Sequence, residues 1–530
     1  MLRWNGWGEE ATIYPLPASA ARYLRASIGE GRAVPDVTFE RAIASVGASG
    51  LVAHPAIRTD SAERFHHAHG QSLQDWVSMR AGCFAPSPDG VAYPATDEEV
   101  RAWFEYARRS GARLIPYGGG TSVAGHVTPR AQDAPTLTLD LSSMSRMTGL
   151  DETSRLATFE AGATGPQIEK QLAAHGYTLG HYPQSWELST VGGWIATRSS
   201  GQQSYHYGRI EDLFAGGHVE TPQGILDLPA LPASAAGPDL RQMILGSEGR
   251  FGIVTRAILR VQRVPEVDRF HAFFFHTWEE GADAVREIVQ QGIPVSMLRL
   301  SDAEETVTTL NLSGKDRAVG WANRGLDLLG YREGRSLLLL GVTGSRAIAG
   351  AAYSNAKVVM RRHGGLPAGE TIGKTWRKNR FRAPYLRNTL WDAGYAVDTL
   401  ETALPWSGVL PAAAAIKNSI RDALASFGER ALVFAHLSHV YVDGASIYTT
   451  YLWRRGADPA ETLAHWHAMK AAASCAIVAH KGTISHQHGV GLDHAPYLQA
   501  EKGETGMRMI ESVRDALDPG RILNPGKLVD

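Results

Sequence analysis

The chain has 530 residues, 44% of them apolar, with 53 Lys and Arg against 54 Asp and Glu. That length exceeds one ordinary domain, and a net charge of -1 excludes a dedicated nucleic-acid binder, which would carry a basic surplus. Two cysteines, Cys83 and Cys475, exclude a disulfide framework and a Cys-rich zinc site and fit a reducing compartment. With no leader-like start and no apolar run of about 18 residues, a cytoplasmic protein is expected.

Residues 1–80 read as an N-terminal helical segment. Between residues 93 and 140 the pattern is strand, helix, strand, loop, strand. Thr96 is a helix cap with acids in the first turn behind it, and Gly111 is the stop. TLTLDLSSM and RLATFEAGA alternate like strands, TGPQIEKQLAAHGYTLG predicts a helix from Gly165 to a stop at Gly176, and GIVTRAILRVQRV predicts another strand. After Pro265 the texture changes. FHAFFFHTW, SMLRLSD and SLLLLGVTG read as strands separated by Ala-rich helices, so a second domain is expected from about that point. PAETLAHWHAMKAAASCAIVAHKG predicts a long amphipathic helix, and MRMIESVRDALDPGR a last helix closed by Asp518, Pro519 and Gly520.

Three glycine-rich loops carry the first chemical signals. In PYGGGTSVAGHV, three consecutive glycines followed by Thr121 and Ser122 can turn several amides toward one anion, as a pyrophosphate requires. Val123 breaks the G-x-G-x-x-G fingerprint, and a tight turn is the plain alternative. HYPQSWELSTVGGWIATRSSG has too few large side chains to build a core, which implies backbone lying close either to another part of the protein or to a large cofactor. GSEGRFGIVT allows the same close approach, with Glu248 as a fixed acceptor.

Other residues stand out singly. AGETIGKTW matches a relaxed phosphate-loop pattern, but Ala368 replaces the required glycine and no buried strand precedes it. Among the cations of GKTWRKNRFRAPYLRN, the first five (Lys374, Arg377, Lys378, Arg380 and Arg382) read as a solvated face. Arg387, after the apolar PYL, is placed to hold a phosphate or carboxylate. Tyr448 points opposite to Ile447 on a strand, toward a cleft or into a core. His486 and His488 would share one face of an extended segment. Zinc would need a third ligand that the sequence does not supply, and proton transfer is the other reading.

RWNGWG, PYGGGTSV, SWELSTVGGWIATRSSG with YGRIEDL, GSEGRFGIVT, PYLRN, ETALPW, DGASIY and SHQHGVG, in this order, resemble the alkyldihydroxyacetonephosphate synthase family. That family lies within the vanillyl-alcohol oxidase and p-cresol methylhydroxylase superfamily of FAD-binding proteins. The resemblance implies an α+β fold with a two-subdomain PCMH-type FAD-binding domain at 81–265. It also implies a cap domain at 266–480 with an antiparallel sheet and flanking helices, and a C-terminal segment at 481–530 that completes the FAD site. It implies non-covalent FAD, since His126 is offset from the usual attachment position.

By resemblance the FAD contacts are Pro116, Tyr117, Gly118, Gly119, Gly120, Thr121 and Ser122; Gln184, Ser185, Trp186, Glu187, Leu188, Ser189 and Thr190; Gly193, Thr197, Arg198, Ser199 and Ser200; and Glu248, Gly249, Arg250, Phe251, Gly252, Ile253 and Val254. The same resemblance makes Tyr448 the acid/base, Arg387 the phosphate holder, His486 and His488 pocket residues, and Arg299 a second arginine on which activity depends; no metal is implied. The implied reaction is an exchange, in which flavin N5 displaces the fatty acid of acyl-dihydroxyacetone phosphate and a fatty alcohol then enters. For Tyr448 to act as a base, neighbouring cations or the flavin would have to lower its pKa. A lipid or small-molecule substrate carrying phosphate or carboxylate, a homodimer, and contact with a membrane surface follow as expectations. The family has three consecutive histidines where this chain has His486, Gln487 and His488, and the ending ILNPGKLVD resembles flavin dehydrogenases of 2-hydroxy acids. Oxidation of a glycolate- or D-lactate-type substrate is therefore the alternative reaction.

Overall fold

The structure, a computed structural model, describes residues 2–82, 86–131, 134–312 and 316–529. Thr96 accepts a hydrogen bond from the amide of Glu99, Asp97, Glu98 and Glu99 fill the first turn, and Gly111 at φ 75° ends the helix Asp97–Ser110. Groups that a helix leaves open at both ends are thereby satisfied or matched in charge. This helix joins Gly90–Ala92 to Arg113–Tyr117, and Thr136–Asp140 lies between those two strands, parallel to both. The alternation expected in TLTLD is not found. All five residues of Thr136–Asp140 are buried, because a central parallel strand is covered on both faces.

The far end of the chain joins this sheet. The amide of Leu114 donates to the Ile522 carbonyl and that of Asn524 to the Leu114 carbonyl, each at 2.7 Å. Beside it stands an antiparallel sheet in the order Met147–Asp151, Leu156–Glu160, Ile253–Arg260, Phe214–Thr221, Gly224–Leu228. The helices Gly165–Ala173 and Val191–Thr197 contribute to the core that the two sheets share.

The remaining sheet has seven strands in the order Leu366–Pro367, Val267–Phe275, Ser336–Gly344, Met297–Ser301, Leu432–Val440, Gly444–Arg454, Tyr395–Pro405, antiparallel throughout. Its two faces have different fates, and period-two alternation separates them. Leu298, Leu300, Leu338, Leu340, Ala435, Leu437 and Ile447 pack on one side, where the helices Trp278–Gln290, Arg346–Arg362 and Trp406–Ala425 cover them. Met297, Arg299, Leu337, Leu339, Phe434, His436 and Tyr448, each adjacent in sequence to one of these, face a cavity.

The long helix is Pro459–Ala479, and it buries Thr462, His465, Trp466, Met469, Lys470, Ala473, Ser474 and Ile477, one stripe at helical spacing. Cys475 is exposed on it; Cys83 lies outside the described residues. The last helix spans Ala495–Leu517 and is broken at Gly503 (φ 67°, ψ 168°). Among the described residues no helix is long and apolar enough to cross a membrane.

Candidate active site

A cavity of about 1660 Å³ runs between the glycine loops and the open face of the seven-stranded sheet. The loop from Pro116 to Val123 forms one wall. Its glycines answer first to the protein: a Cβ on Gly119 would stand 1.8 Å from the Leu188 carbonyl oxygen, and one on Gly118 would stand 2.3 Å from Thr190 Oγ1. The first loop therefore lies back to back with the second, and only residues without side chains permit that approach. Among the described residues, no acceptor takes the amides of Gly119, Gly120 or Thr121. Three such amides beside a cavity make an anion cradle.

Gln184, Ser185, Ser189, Thr190, Gly193, Thr197, Ser199 and Ser200 line the same cavity, as do Glu248, Gly249, Gly252, Ile253 and Val254. Three non-glycine residues nearby hold positive φ: Arg198 (53°), Glu248 (54°) and Asn524 (38°). They brace one another through the protein. Glu248 donates its amide to the Ala196 carbonyl, and Asn524 Nδ2 donates to the Glu248 carbonyl at 2.8 Å.

Six of the expected FAD contacts, and the expected pocket residue His486, do not reach the cavity. Trp186 stacks on Phe381 (4.9 Å, 15°), Leu188 supplies the carbonyl behind Gly119, and Glu187 is bonded to the phenol of Tyr385. Arg198 donates to the carbonyls of Leu245 and Gln242, Phe251 is core, and the fully buried Arg250 donates to the Leu523 carbonyl. His486 turns away from the cavity toward Tyr441 Oη, 2.6 Å from its Nε2, because the segment bends there and does not run extended.

Arg387 sits in the wall on the helix Ala383–Asp392. Its guanidinium lies 4.3 Å from the Trp76 ring centre, Nη1 donates to the Gln71 carbonyl, and Nη2 has no hydrogen-bond partner. Burial lowers its pKa to about 10, against the opposing carboxylates of Asp398 and Asp75, which leaves it charged at neutral pH. Two of the five cations expected on a solvated face are elsewhere. Arg380 stacks 4.1 Å from the Tyr182 ring and donates to Gln203, and Arg382 covers Tyr14; both line the cavity.

On the sheet, Tyr448 stacks on His436 (4.9 Å, 15°) and meets His488 edge-on at 5.9 Å. Glu305 bridges Arg299 Nη2 (2.6 Å) and His436 Nδ1 (3.0 Å). Burial pushes the phenol of Tyr448 well up, opposed by a Thr399 hydrogen bond and reinforced by the carboxylates of Glu401 and Asp398. The protein's own groups therefore do not supply the lowering that a base role for this tyrosine requires. Burial also lowers His436 and His488. At neutral pH the arrangement offers a protonated phenol between two neutral imidazoles, a proton donor flanked by acceptors. His436, Glu305 and His439 carry no local sequence motif, and ETALPW marks Glu401 without assigning it a role; pairing of Glu401 and His436 with Tyr448 across the strands brings two of them here.

The FAD binding domain family matches residues 88–228, and the family of FAD linked oxidases, C-terminal domain, matches residues 264–528. The chain is therefore a FAD-linked oxidase in fold and cofactor class. It is 30% identical to alkyldihydroxyacetonephosphate synthase of Dictyostelium discoideum over 89% of this chain and 78% of that one. With the synthase of Trypanosoma brucei brucei the figures are 29%, 100% and 92%. A solved alkyldihydroxyacetonephosphate synthase structure superposes with a TM-score of 0.85 at 26% identity, over 99% of each chain. p-Cresol methylhydroxylase, at 14% identity and a TM-score of 0.67, shares the fold, which is the PCMH-type α+β fold. The chain belongs to the alkyldihydroxyacetonephosphate synthase family.

FAD is the cofactor of this family, and the residues present fit it. Free amides at Gly119 to Thr121 suit the pyrophosphate, and the small residues from Gly192 to Ser200 leave room beside the sheet.

Proposed function

We propose that this protein is a FAD-dependent alkyldihydroxyacetonephosphate synthase, exchanging the acyl chain of acyl-dihydroxyacetone phosphate for a fatty alcohol. The observation that carries the reading is Arg387, a half-buried cation in the wall of a long cavity whose Nη2 is buried without a hydrogen-bond partner. The same cavity is also lined by the apolar side chains of Leu24, Phe274, Leu337, Leu339, Ile372 and Val397. A phosphate at Arg387 with a hydrocarbon chain along those residues satisfies both halves of the site.

When bound, FAD supplies the group that displaces the carboxylate without net oxidation. The chain's own residues bind and move protons. Arg387 holds the phosphate, Tyr448 and His488 exchange a proton with the C1 carbon, and Arg299, fixed by Glu305, orients His436 beneath the phenol. Non-covalent FAD fits His126, whose Nδ1 meets Ser122 Oγ at 2.6 Å and whose Nε2 lies 3.2 Å from Glu248. The relatives do not favour 2-hydroxy-acid oxidation over this exchange.

Contact with a membrane surface belongs to the same proposal. Leu328 and Leu329 are 89% and 61% exposed at the end of the helix Asp316–Leu328, and Leu326 and Leu329 also line the cavity, so a lipid entering there would cross them. The test of function is release of free fatty acid from palmitoyl-dihydroxyacetone phosphate and hexadecanol by the FAD-loaded protein without oxygen. Flavin-dependent release in step with ether formation is expected. No release, with reduction of the flavin by a 2-hydroxy acid instead, would replace the synthase with the dehydrogenase.

A further inference from the structure

Beside the cavity, which His439 lines, three buried side chains converge from separate segments. Glu401 comes from Tyr395–Pro405, His439 from Leu432–Val440, and His486 from the bend before the last helix. Glu401 Oε1 lies 3.2 Å from His486 Nδ1 and 3.8 Å from His439 Nε2, and all three atoms fall within 4.8 Å of one another. An ion about 2.0–2.2 Å from each of them in tetrahedral geometry would set ligand atoms roughly 3.3–3.6 Å apart. We propose that Glu401, His439 and His486 form a binding site for one divalent metal ion of the zinc class.

The atoms turned away from that point are held as a metal site requires. His486 Nε2 meets Tyr441 Oη at 2.6 Å, and His439 Nδ1 meets Ser200 and Ser204 Oγ, each at 3.0 Å. Glu401 Oε2 accepts from Gln487 Nε2 at 2.6 Å. Each outer bond fixes the tautomer or rotamer that aims the remaining lone pair inward. The inward atoms, by contrast, are unsatisfied: Glu401 Oε1 and His486 Nδ1 are buried with no hydrogen-bond partner, facing each other without alignment. The nearby cation Arg209 is occupied with the carbonyls of Arg198 and His486 and with Glu211.

A second cluster with similar donors, Asp97, His218 and Glu220, shows the difference. There His218 uses both nitrogens on Asp227 and Glu220, and Arg101 and Arg256 neutralise the carboxylates, so the charges are already balanced. The sequence offered His486 without a third ligand; pairing of the strands supplies Glu401 and His439. Two imidazoles and a carboxylate, with no thiolate, suit zinc and leave a fourth position open.

The test uses the full-length FAD-loaded protein, stripped with chelator, desalted and titrated with Zn²⁺, with metal content measured after gel filtration. Cobalt as a second probe reports geometry through visible bands to the red of the flavin. We expect one zinc per chain and tetrahedral cobalt bands that zinc displaces. Zinc affinity should fall at least about 100-fold in Glu401→Gln and His439→Gln, and about 10- to 100-fold in Tyr441→Phe, which keeps all three ligands. Well under one retained zinc per wild-type chain would overturn the proposal. So would wild-type zinc affinity in Tyr441→Phe together with either ligand variant that still binds FAD.

Discussion

Substituting Arg387 by alanine tests the phosphate assignment with a magnitude that the geometry sets. Nη1 is committed to the Gln71 carbonyl and the guanidinium face to Trp76, so Nη2 alone is left for the substrate. One charge-assisted hydrogen bond contributes about 1.5–3 kcal/mol, against roughly twice that for a two-pronged grip. The expected result is a rise of roughly 10- to 150-fold in KM for acyl-dihydroxyacetone phosphate, with kcat changed much less, because the phosphate is remote from the reacting carbon. Initial rates of acid release at saturating hexadecanol read this directly, and the visible flavin spectrum verifies that the variant is folded and loaded. Arg387→Lys should recover little of the loss, since an ammonium cannot hold Gln71, cover Trp76 and reach the phosphate together. An unchanged KM in the loaded alanine variant would refute the reasoning and leave Arg387 as a tie between its helix and Gln71.

Tyr448→Phe should lower turnover at least about 100-fold, the usual weight of a general acid or base, while the protein stays yellow; full activity would remove the phenol from the chemistry. Because burial raises this phenol, kcat/KM should show no basic limb from it up to about pH 10, measured by acid release across pH. Gly119→Ala should force the loop off Leu188 at a cost of about 1–3 kcal/mol and weaken FAD retention, read as the flavin-to-protein absorbance ratio after gel filtration. Burial opposes ionisation of Glu305, yet Arg299 and His436 hold its carboxyl well below the usual range, so its stabilisation is complete above about pH 4.3 and lost as pH falls below that. In urea titrations Glu305→Gln should therefore be less stable than wild type at pH 7, by about 2–3 kcal/mol, with the gap narrowing in acid. Leu328→Asp, at an exposed position outside the cavity lining, should reduce co-sedimentation with phospholipid vesicles while leaving activity on detergent-dispersed substrate; unchanged sedimentation would remove this segment from membrane contact.

What the sequence disclosed depended on how local the cause was. Thr96, the acids after it and Gly111 define a helix within a few residues, and the glycine loop announces close backbone approach in a single run. Fates decided by the other side of a contact were hidden. Thr136–Asp140 alternates in polarity yet is buried throughout, since burial there depends on what covers the sheet. Trp186, Glu187 and Leu188 sit inside a contiguous run of expected FAD contacts, but a turn directs them away while Gln184, Ser185 and Ser189 face the cavity. Glu401, His436 and His439 are strand residues that the pairing of Gly444–Arg454 with both its neighbours assembles, while Glu305 reaches Arg299 and His436 from the helix Ala303–Leu312. Arg380 escaped notice because a cation among cations looks solvated, whereas the Tyr182 ring that covers it is far away in sequence.

The clasp of Leu114 by Ile522 and Asn524 has a consequence for biosynthesis. The sheet that carries the glycine loop lacks a neighbour until residues 522 to 524 have been synthesised, and Asn524 must arrive before Glu248 is braced. A chain cut before Ile522 would lack both that neighbour and the brace on Glu248, so it should retain FAD poorly even with every glycine loop present.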